Sequence, residues 1–276
     1  MALRRIDWSD LPEETRTAVE KHTGTVLDSR TAAEGLNSAV ALLLTTEGGE
    51  VFVKGLRRDY PRRWTQDMEW AIGPYVAGVA PRVLWRVEDD EWDLLGFEAV
   101  TGRHADYEPG SPDLPLLLDT MRILARIPCP ADVPVKTAES RWKPYLDDPG
   151  DLALLAGDRL LHTDYNPLNV LIADGRALLI DWAWPTRGAG WIDPACLILR
   201  LIASGHTTPH AERIVSELPT WQDAPIATLN AFAAASVRLW AEIADRDAVS
   251  WTERMADAAQ QWASYRSTRD FLNFLR

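Results

Sequence analysis

Apolar positions alternate in short runs up to about residue 98 and recur mostly at helical spacing after it. Runs at Thr25 to Leu27, Ala39 to Leu44 and Glu50 to Lys54 are separated by Ala33-Glu34-Gly35-Leu36-Asn37-Ser38 and by Glu47-Gly48-Gly49, which predicts a three-stranded antiparallel meander. Arg82 to Val87 and Asp93 to Phe97, around Asp89-Asp90, bring the sheet to five strands. A helix is expected over 12–22, with Asp10 as its cap and Glu13 and Glu14 in its first turn. A second begins at Asp59-Tyr60-Pro61 and presents Trp64, Met68, Ile72, Tyr75 and Val79 as one stripe. Glu98-Ala99-Val100-Thr101-Gly102 then leaves the sheet for the polar run Arg103-His104-Ala105-Asp106. The expected division is therefore an N-terminal domain over 1–98 and a helical one over 99–276.

In the second part Ser111-Pro112 opens a helix facing the core with Leu116, Leu117, Met121 and Leu124 and stopping at Pro128 and Pro130. The Pro-rich stretch 129–150 reads as an irregular surface excursion, and Trp184 to Trp191 as a Gly-punctuated loop. The last two helices carry Leu229, Phe232, Ser236, Leu239 and Ile243, then Met255, Ala259, Trp262 and Tyr265 after a capping box at Ser250-Trp251-Thr252-Glu253. Between these helical parts the period returns to that of strands. Leu160-Leu161 leads into a polar loop holding His162, Asp164 and Asn169; Val170 to Ile172 and Ala177 to Ile180 form a hairpin about Asp174-Gly175, and Asp181 closes it.

Such a hairpin brings Asp164, Asn169 and Asp181 to one end. Phosphoryl transfer uses such a set: one carboxylate accepts the proton of an attacking hydroxyl, and an amide and a second carboxylate hold Mg²⁺, which prefers hard oxygen ligands. His162 reads as a structural hydrogen-bonder and Trp182 as a core residue. The string His162-Thr163-Asp164, four residues, Asn169, and then Ile180-Asp181-Trp182 resembles the catalytic loop and metal-binding segment of the protein-kinase-like superfamily. It is more similar to the aminoglycoside phosphotransferase family, whose loop has His-x-Asp and whose hairpin ends in Ile-Asp-Trp.

The resemblance covers about residues 25 to 275. It implies an α+β, two-lobed protein-kinase-like fold, with a five-stranded antiparallel sheet plus helix in the N-terminal lobe and a mainly helical C-terminal lobe. It implies transfer of the γ-phosphate of ATP, with Mg²⁺, to a hydroxyl of a small molecule, an antibiotic of aminoglycoside or other type, with a role in resistance. Asp164 would be the base, Asn169 and Asp181 the metal ligands, and Lys54 the phosphate-binding lysine oriented by Glu69, with Asp67 the weaker choice of partner. Asn37 and Ser38, in Gly35-Leu36-Asn37-Ser38, would hold β-phosphate oxygens, although the same residues also suit an ordinary hairpin turn. Adenine would meet the main chain near Glu98 and Val100. Asp193, in Ile192-Asp193-Pro194-Ala195, would cap a helix or bond to the catalytic loop. The acceptor would lie near Trp184 and one of Trp240 and Glu242, with lobe packing the alternative for each. A Gly does not closely follow Asp181, a departure from the Asp-Phe-Gly pattern of protein kinases. The rival functions are a metabolic kinase for choline, a sugar or homoserine, and a nucleotide-binding pseudokinase.

Composition narrows this further. The chain has 276 residues, 46% apolar and 25% charged, as an ordinary globular protein does. No apolar run reaches the roughly 18 residues that a membrane span needs, and no signal core follows Met1, so the expectation is a cytoplasmic protein with no membrane partner. A net charge of −12 disfavours nucleic acid. The acid is evenly spread, 12 basic against 18 acidic residues up to Glu98 and 17 against 23 beyond, so charge alone does not map the acceptor site. Two cysteines, Cys129 and Cys196, give neither a disulfide framework nor a zinc site. Most of the thirteen Trp are expected in the core or at lobe contacts, with some as ligand-stacking walls, and Arg57, Arg58, Arg62 and Arg63 at a solvated surface.

Overall fold

A computed structural model describes residues 4–32 and 38–274 of the protein. In chain order its elements begin with α1 (Glu13–Thr23), β1 (Val26–Thr31), β2 (Val40–Thr46), β3 (Gly49–Arg57), α2 (Trp64–Val76), β4 (Val83–Glu88), β5 (Trp92–Glu98) and β6 (Arg103–His104). Next come α3 (Asp113–Leu124), β7 (Lys136–Thr137), α4 (Ala138–Trp142), α5 (Pro149–Ala153), β8 (Arg159–Leu161), β9 (Val170–Ala173), β10 (Arg176–Leu179) and β11 (Thr186–Gly188). The remaining helices are α6 (Ile192–Ala203), α7 (Thr208–Val215), α8 (Pro219–Gln222), α9 (Ile226–Arg246) and α10 (Ser250–Phe274). The chain divides into two compact units, Met1–His104 with Leu171–Trp184, and Ala105–Val170 with Pro185–Arg276.

The first unit is built on the five-stranded sheet, in the order β1-β2-β3-β5-β4 and antiparallel throughout. Alternation sends Val40, Leu42, Leu44, Val51, Val53, Trp85 and Leu94 into one core with Leu11 and Val19. Helix α2 packs on β4 and β5, so β5 is buried on both faces from Trp92 to Gly96. The approach is close enough that a Cβ on Gly73 would collide with Val83. The buried face of α2 is Gln66, Glu69, Ile72, Gly73 and Val76, so the predicted stripe holds at Ile72, and at Val79 just beyond the helix, whereas Trp64 and Met68 are half-buried and Tyr75 is exposed. Two polar residues take the buried positions because they have partners there. Gln66 donates to the carbonyls of Lys54 and Asp93 at 3.3 and 3.1 Å.

At the start of α1 the expected cap is displaced. Pro12 precedes the first helical residue with no side-chain cap, and Asp10 ends a separate 3₁₀ turn, Trp8–Asp10. Arg57 pairs with Asp59 and Glu91 on the surface, whereas Arg63 reaches Asp93 at 2.8 Å as well as Glu88 and Asp67. The hairpin β9–β10 belongs to a small sheet in the order β10-β9-β6. Its turn places Asp174 and Gly175 at φ 49° and 70°, the left-handed pair that Asp-Gly supports. Leu179 N–H donates to Val79 O at 2.8 Å and Arg176 to Gly78 O at 2.9 Å, which ties the hairpin to the chain just after α2.

The second unit is mainly helical. Helix α6 is apolar almost all round, with Ile192, Leu197, Ile198, Leu199, Leu201 and Ile202 buried, and it packs on α10 and α7. Phe232 on α9 gathers Trp142, Trp191 and Trp262 at ring distances of 5.2, 5.3 and 6.4 Å. Glu212 accepts from Trp262, Arg266 and Arg269, each at 2.9 Å, and so pins α10 to α7. The start of α10 is tied by Thr252, whose hydroxyl accepts from Val249 N–H at 3.2 Å, in place of the expected Ser250–Glu253 box. The stretch 129–150 is more ordered than expected: it carries β7, α4 and the start of α5, and buries Trp142. Residues 184–191 hold a strand, β11, which runs parallel to β7 and antiparallel to β8. Among the described residues no helix is long and apolar enough to cross a membrane.

Candidate active site

In the first unit strand β3 carries Lys54 opposite Ala41 on one side and Leu95 on the other. Its ammonium lies 2.7 Å from Glu69 Oε2 on α2 and 2.7 Å from Asp181 Oδ1 at the end of the hairpin. Relative exposures of the three side chains are 14%, 6% and 21%, so the charges face one another largely out of water. Burial alone would lower the Lys54 pKa, but the Asp181 and Glu69 carboxylates outweigh it and raise it above the ordinary lysine value. Burial raises the Glu69 pKa, with Lys54 opposing and Asp181 adding to the rise. Glu69 is fixed at both oxygens, because its Oε1 accepts from Trp182 N–H at 3.3 Å.

Asp181 sits at φ 62°, a left-handed position uncommon for a residue with a side chain. Trp182 braces the bend: its ring is buried, and its Nε1–H donates to Leu179 O at 3.1 Å. Asp67 is not a partner of Lys54, since its carboxylate meets Arg63 at 3.1 Å and Arg86 at 2.6 Å. Asn37 lies outside the described residues. Ser38 is buried, and its carbonyl accepts from Arg5. Glu98 N–H donates to Arg82 O at 2.8 Å, and hydrogen bonding from Arg82 holds its carboxyl below the usual range. Val100 is half-buried in irregular chain. Trp184 packs edge to face on Trp64, at 4.7 Å and 87°.

In the second unit the loop from His162 to Asn169 is organised by Asp193. One of its oxygens accepts from His162 N–H at 3.1 Å and Tyr165 O–H at 2.9 Å; the other accepts from Thr163 N–H at 2.9 Å. Of the two roles expected of Asp193, the bond to the loop is the one observed. Burial raises its pKa, against the pull of those donors. His162 is buried and accepts from Asp164 N–H through Nδ1 at 3.3 Å, a structural contact. Thr163 is held at φ 66°, and its hydroxyl accepts from Arg141 at 2.6 Å.

Asp164 emerges from this frame with unequal oxygens. Oδ1 accepts from Arg200 Nη2 at 2.8 Å and from Asn166 N–H at 3.3 Å, while Oδ2 has no partner among the described residues. Asn169 donates its amide nitrogen to the Asp164 carbonyl at 3.3 Å, which presents its oxygen as the available atom. Arg200, from the apolar helix α6, lies over Trp240 at 5.4 Å and over Trp251 at 5.9 Å. Trp240 and Glu242 diverge as expected of residues two apart on a helix: Glu242 is exposed and accepts from Tyr145 O–H at 3.0 Å. Trp240 is therefore on the Asp164 side through Arg200. Sequence reasoning missed Arg200, Arg141 and Trp251; the visible signal was a lone Arg within Leu197-Ile198-Leu199-Arg200-Leu201-Ile202.

Arg141 and Arg200 thus fix the Asp164 loop from two elements, α4 and α6. Asp181 in the first unit and Asn169 in the second both carry side-chain oxygens, the ligand type that Mg²⁺ prefers. Among the described residues no three His, Cys, Asp or Glu side chains gather into a metal cage.

No protein-family model matches the sequence, and no curated protein does. Solved structures do. An aminoglycoside phosphotransferase from Alicyclobacillus acidocaldarius superposes with a TM-score of 0.63 at 13% identity, over 94% of this chain and 97% of that one. A choline kinase from Streptococcus pneumoniae gives 0.61 at 14% identity, over 88% and 95%. A thermostable variant of aminoglycoside phosphotransferase APH(4)-Ia, in ternary complex with ADP and hygromycin B, gives 0.59 at 16% identity, over 91% and 99%. The chain thus has the kinase-like fold of small-molecule phosphotransferases, as the resemblance implied.

Proposed function

We propose that the protein is an ATP- and Mg²⁺-dependent phosphotransferase that moves the γ-phosphate to a hydroxyl of a small molecule. The observation that carries the reading is the Asp164 carboxylate, held at Oδ1 by Arg200 and Asn166 with Oδ2 unpartnered. A base must keep its orientation while one oxygen remains available to a proton, and this arrangement supplies both. Asp164 then accepts the acceptor's hydroxyl proton. Lys54, oriented by Glu69, binds phosphate oxygens, and Ser38 with Asn37 adds main-chain donors to them. Main-chain groups of Glu98 and Val100 take the adenine edge. Asn169 and Asp181 would hold Mg²⁺, which supplies charge neutralisation at the phosphates.

The acceptor class is a separate matter, because fold leaves it open. An antibiotic hydroxyl is the first reading, with drug resistance as its role. The choline kinase likeness keeps a metabolic alcohol as the second. Of the acceptor residues, Trp240 is favoured by its contact with Arg200, whereas Trp184 and Glu242 are engaged by Trp64 and Tyr145. The test is calorimetric titration with ATP, with and without Mg²⁺, followed by mass spectrometry of a diverse set of hydroxyl compounds. Metal-dependent nucleotide binding and a phosphorylated acceptor support the proposal; no nucleotide binding defeats it.

A further inference from the structure

The Arg200 side chain is only 12% exposed, yet its described contacts use one of its three nitrogens, Nη2, on Asp164. Trp240 and Trp251 stand at 81° to each other with ring centres 6.1 Å apart, and the guanidinium lies over both. Such an aromatic pair holds a cation, and here the cation is the protein's own. Nε and Nη1 have no partner among the described residues. A guanidinium matches the two oxygens of a carboxylate or phosphate, and these two donors remain accessible to such a group.

The surroundings are equally unsuited to an ammonium group. Asp164 already shares its charge with Arg200, and the Asp193 carboxylate is spent on two main-chain N–H groups and a phenol. A second guanidinium, Arg141, joins the same loop through Thr163. An amine brought to Asp164 would meet cations on the positions where it needs anions.

Resting on the phosphotransferase reading above, we infer that the acceptor is an anionic hydroxyl compound, a carboxylate or phosphate ester, whose acidic group is received by Arg200. Arg200 is then the residue that determines acceptor specificity, as well as the group that positions the base.

The experiment offers wild type, Arg200→Gln and Arg200→Lys an equal number of hydroxy-carboxylates, hydroxylated phosphate esters, neutral sugars and amino sugars of similar size. Product mass and ADP release are followed, and Mg²⁺–ATP binding is measured in parallel. Wild type should favour an acidic class, and the two acidic arms identify which. Arg200→Gln should raise the KM for the acidic acceptor by roughly ten- to hundredfold, the loss of a charge-assisted hydrogen bond, with Arg200→Lys in between and ATP affinity held. A base-positioning role alone would lower kcat for every class equally and leave the class preference unchanged, which overturns the specificity claim. Exclusive turnover of amino or neutral sugars, or metal-dependent nucleotide binding with no acidic acceptor phosphorylated, overturns it as well. Failure to bind nucleotide at all instead defeats the phosphotransferase reading.

Discussion

Replacing Lys54 with Met keeps the length of the aliphatic stem and removes the charge that Glu69 and Asp181 share. The variant leaves two carboxylates, 6% and 21% exposed, facing each other without a cation. Removing one partner of a buried pair costs about 3–5 kcal/mol, and the lower end applies because water reaches Asp181, so ~3 kcal/mol is expected. Glu69→Gln leaves Lys54 its contact with Asp181 and should cost about 1.5–3 kcal/mol. The double variant should cost at least ~1 kcal/mol less than the sum, since each single change removes the same contact. Urea melts of the four proteins, followed by tryptophan fluorescence and far-ultraviolet circular dichroism, give these values.

The pH dependence supplies a second check. Burial raises the Glu69 pKa and Lys54 opposes the rise, so in Lys54→Met it climbs further. A carboxyl raised in the folded state contributes stability that is full below its unfolded value, about 4.3, and lost as pH rises through the folded value. The deficit of Lys54→Met should therefore shrink as pH falls from 8 toward 5. Strict additivity of the two changes, with a deficit that does not vary with pH, would refute the account of Lys54 as the shared counter-charge.

Three further outcomes are expected. Asp181→Ala should weaken Mg²⁺-dependent ATP binding in calorimetry more than Asn169→Ala, because a carboxylate contributes more to a dication than an amide oxygen does; equal, metal-independent binding by both variants and wild type would contradict the set. Trp184→Ala should cost ~2 kcal/mol in thermal unfolding through its half-buried contact with Trp64, with both KM values held; a tenfold rise in acceptor KM would make the ring an acceptor wall instead. Burial raises the Asp193 pKa, so the advantage of wild type over Asp193→Asn should be greatest at acid pH and decline as pH climbs from about 4 through the folded value; melting curves across pH showing a widening gap would refute this.

The sheet and the hairpin were legible because their signals are local. Alternating apolar residues, Gly48-Gly49 and Asp174-Gly175 fix strands and turns within a few residues of each other. The Lys54–Glu69 pair was legible for a different reason: the family resemblance implied it, for a lysine on an apolar strand whose partner the residues alone left open between Glu69 and Asp67. What the sequence hid depends on distant partners. An apolar stripe read along α2 misplaces part of its buried face, since Glu69 is offset by a lysine on β3 and Gln66 by two strand carbonyls. Short pieces between 129 and 150 have no periodicity of their own, and Trp142 is buried there by Phe232 from α9. A change of polarity along the chain marks a single cut, whereas residues 171–184 return to the first compact unit. Arg200 carries no local signal of its role, because its partners come from the catalytic loop and from α9 and α10.

The most direct test of the central claim is transfer itself. Wild type and Asp164→Asn are incubated with ATP, Mg²⁺ and a chemically diverse set of hydroxyl compounds, and products are weighed by mass spectrometry while nucleotide binding is measured on the same samples. Wild type should add one phosphoryl group to an acceptor for each ADP released, and Asp164→Asn should bind nucleotide as well but turn over roughly 10² to 10⁴ times more slowly. Undiminished transfer by a folded Asp164→Asn protein, or nucleotide binding by wild type with no acceptor ever phosphorylated, would contradict the account.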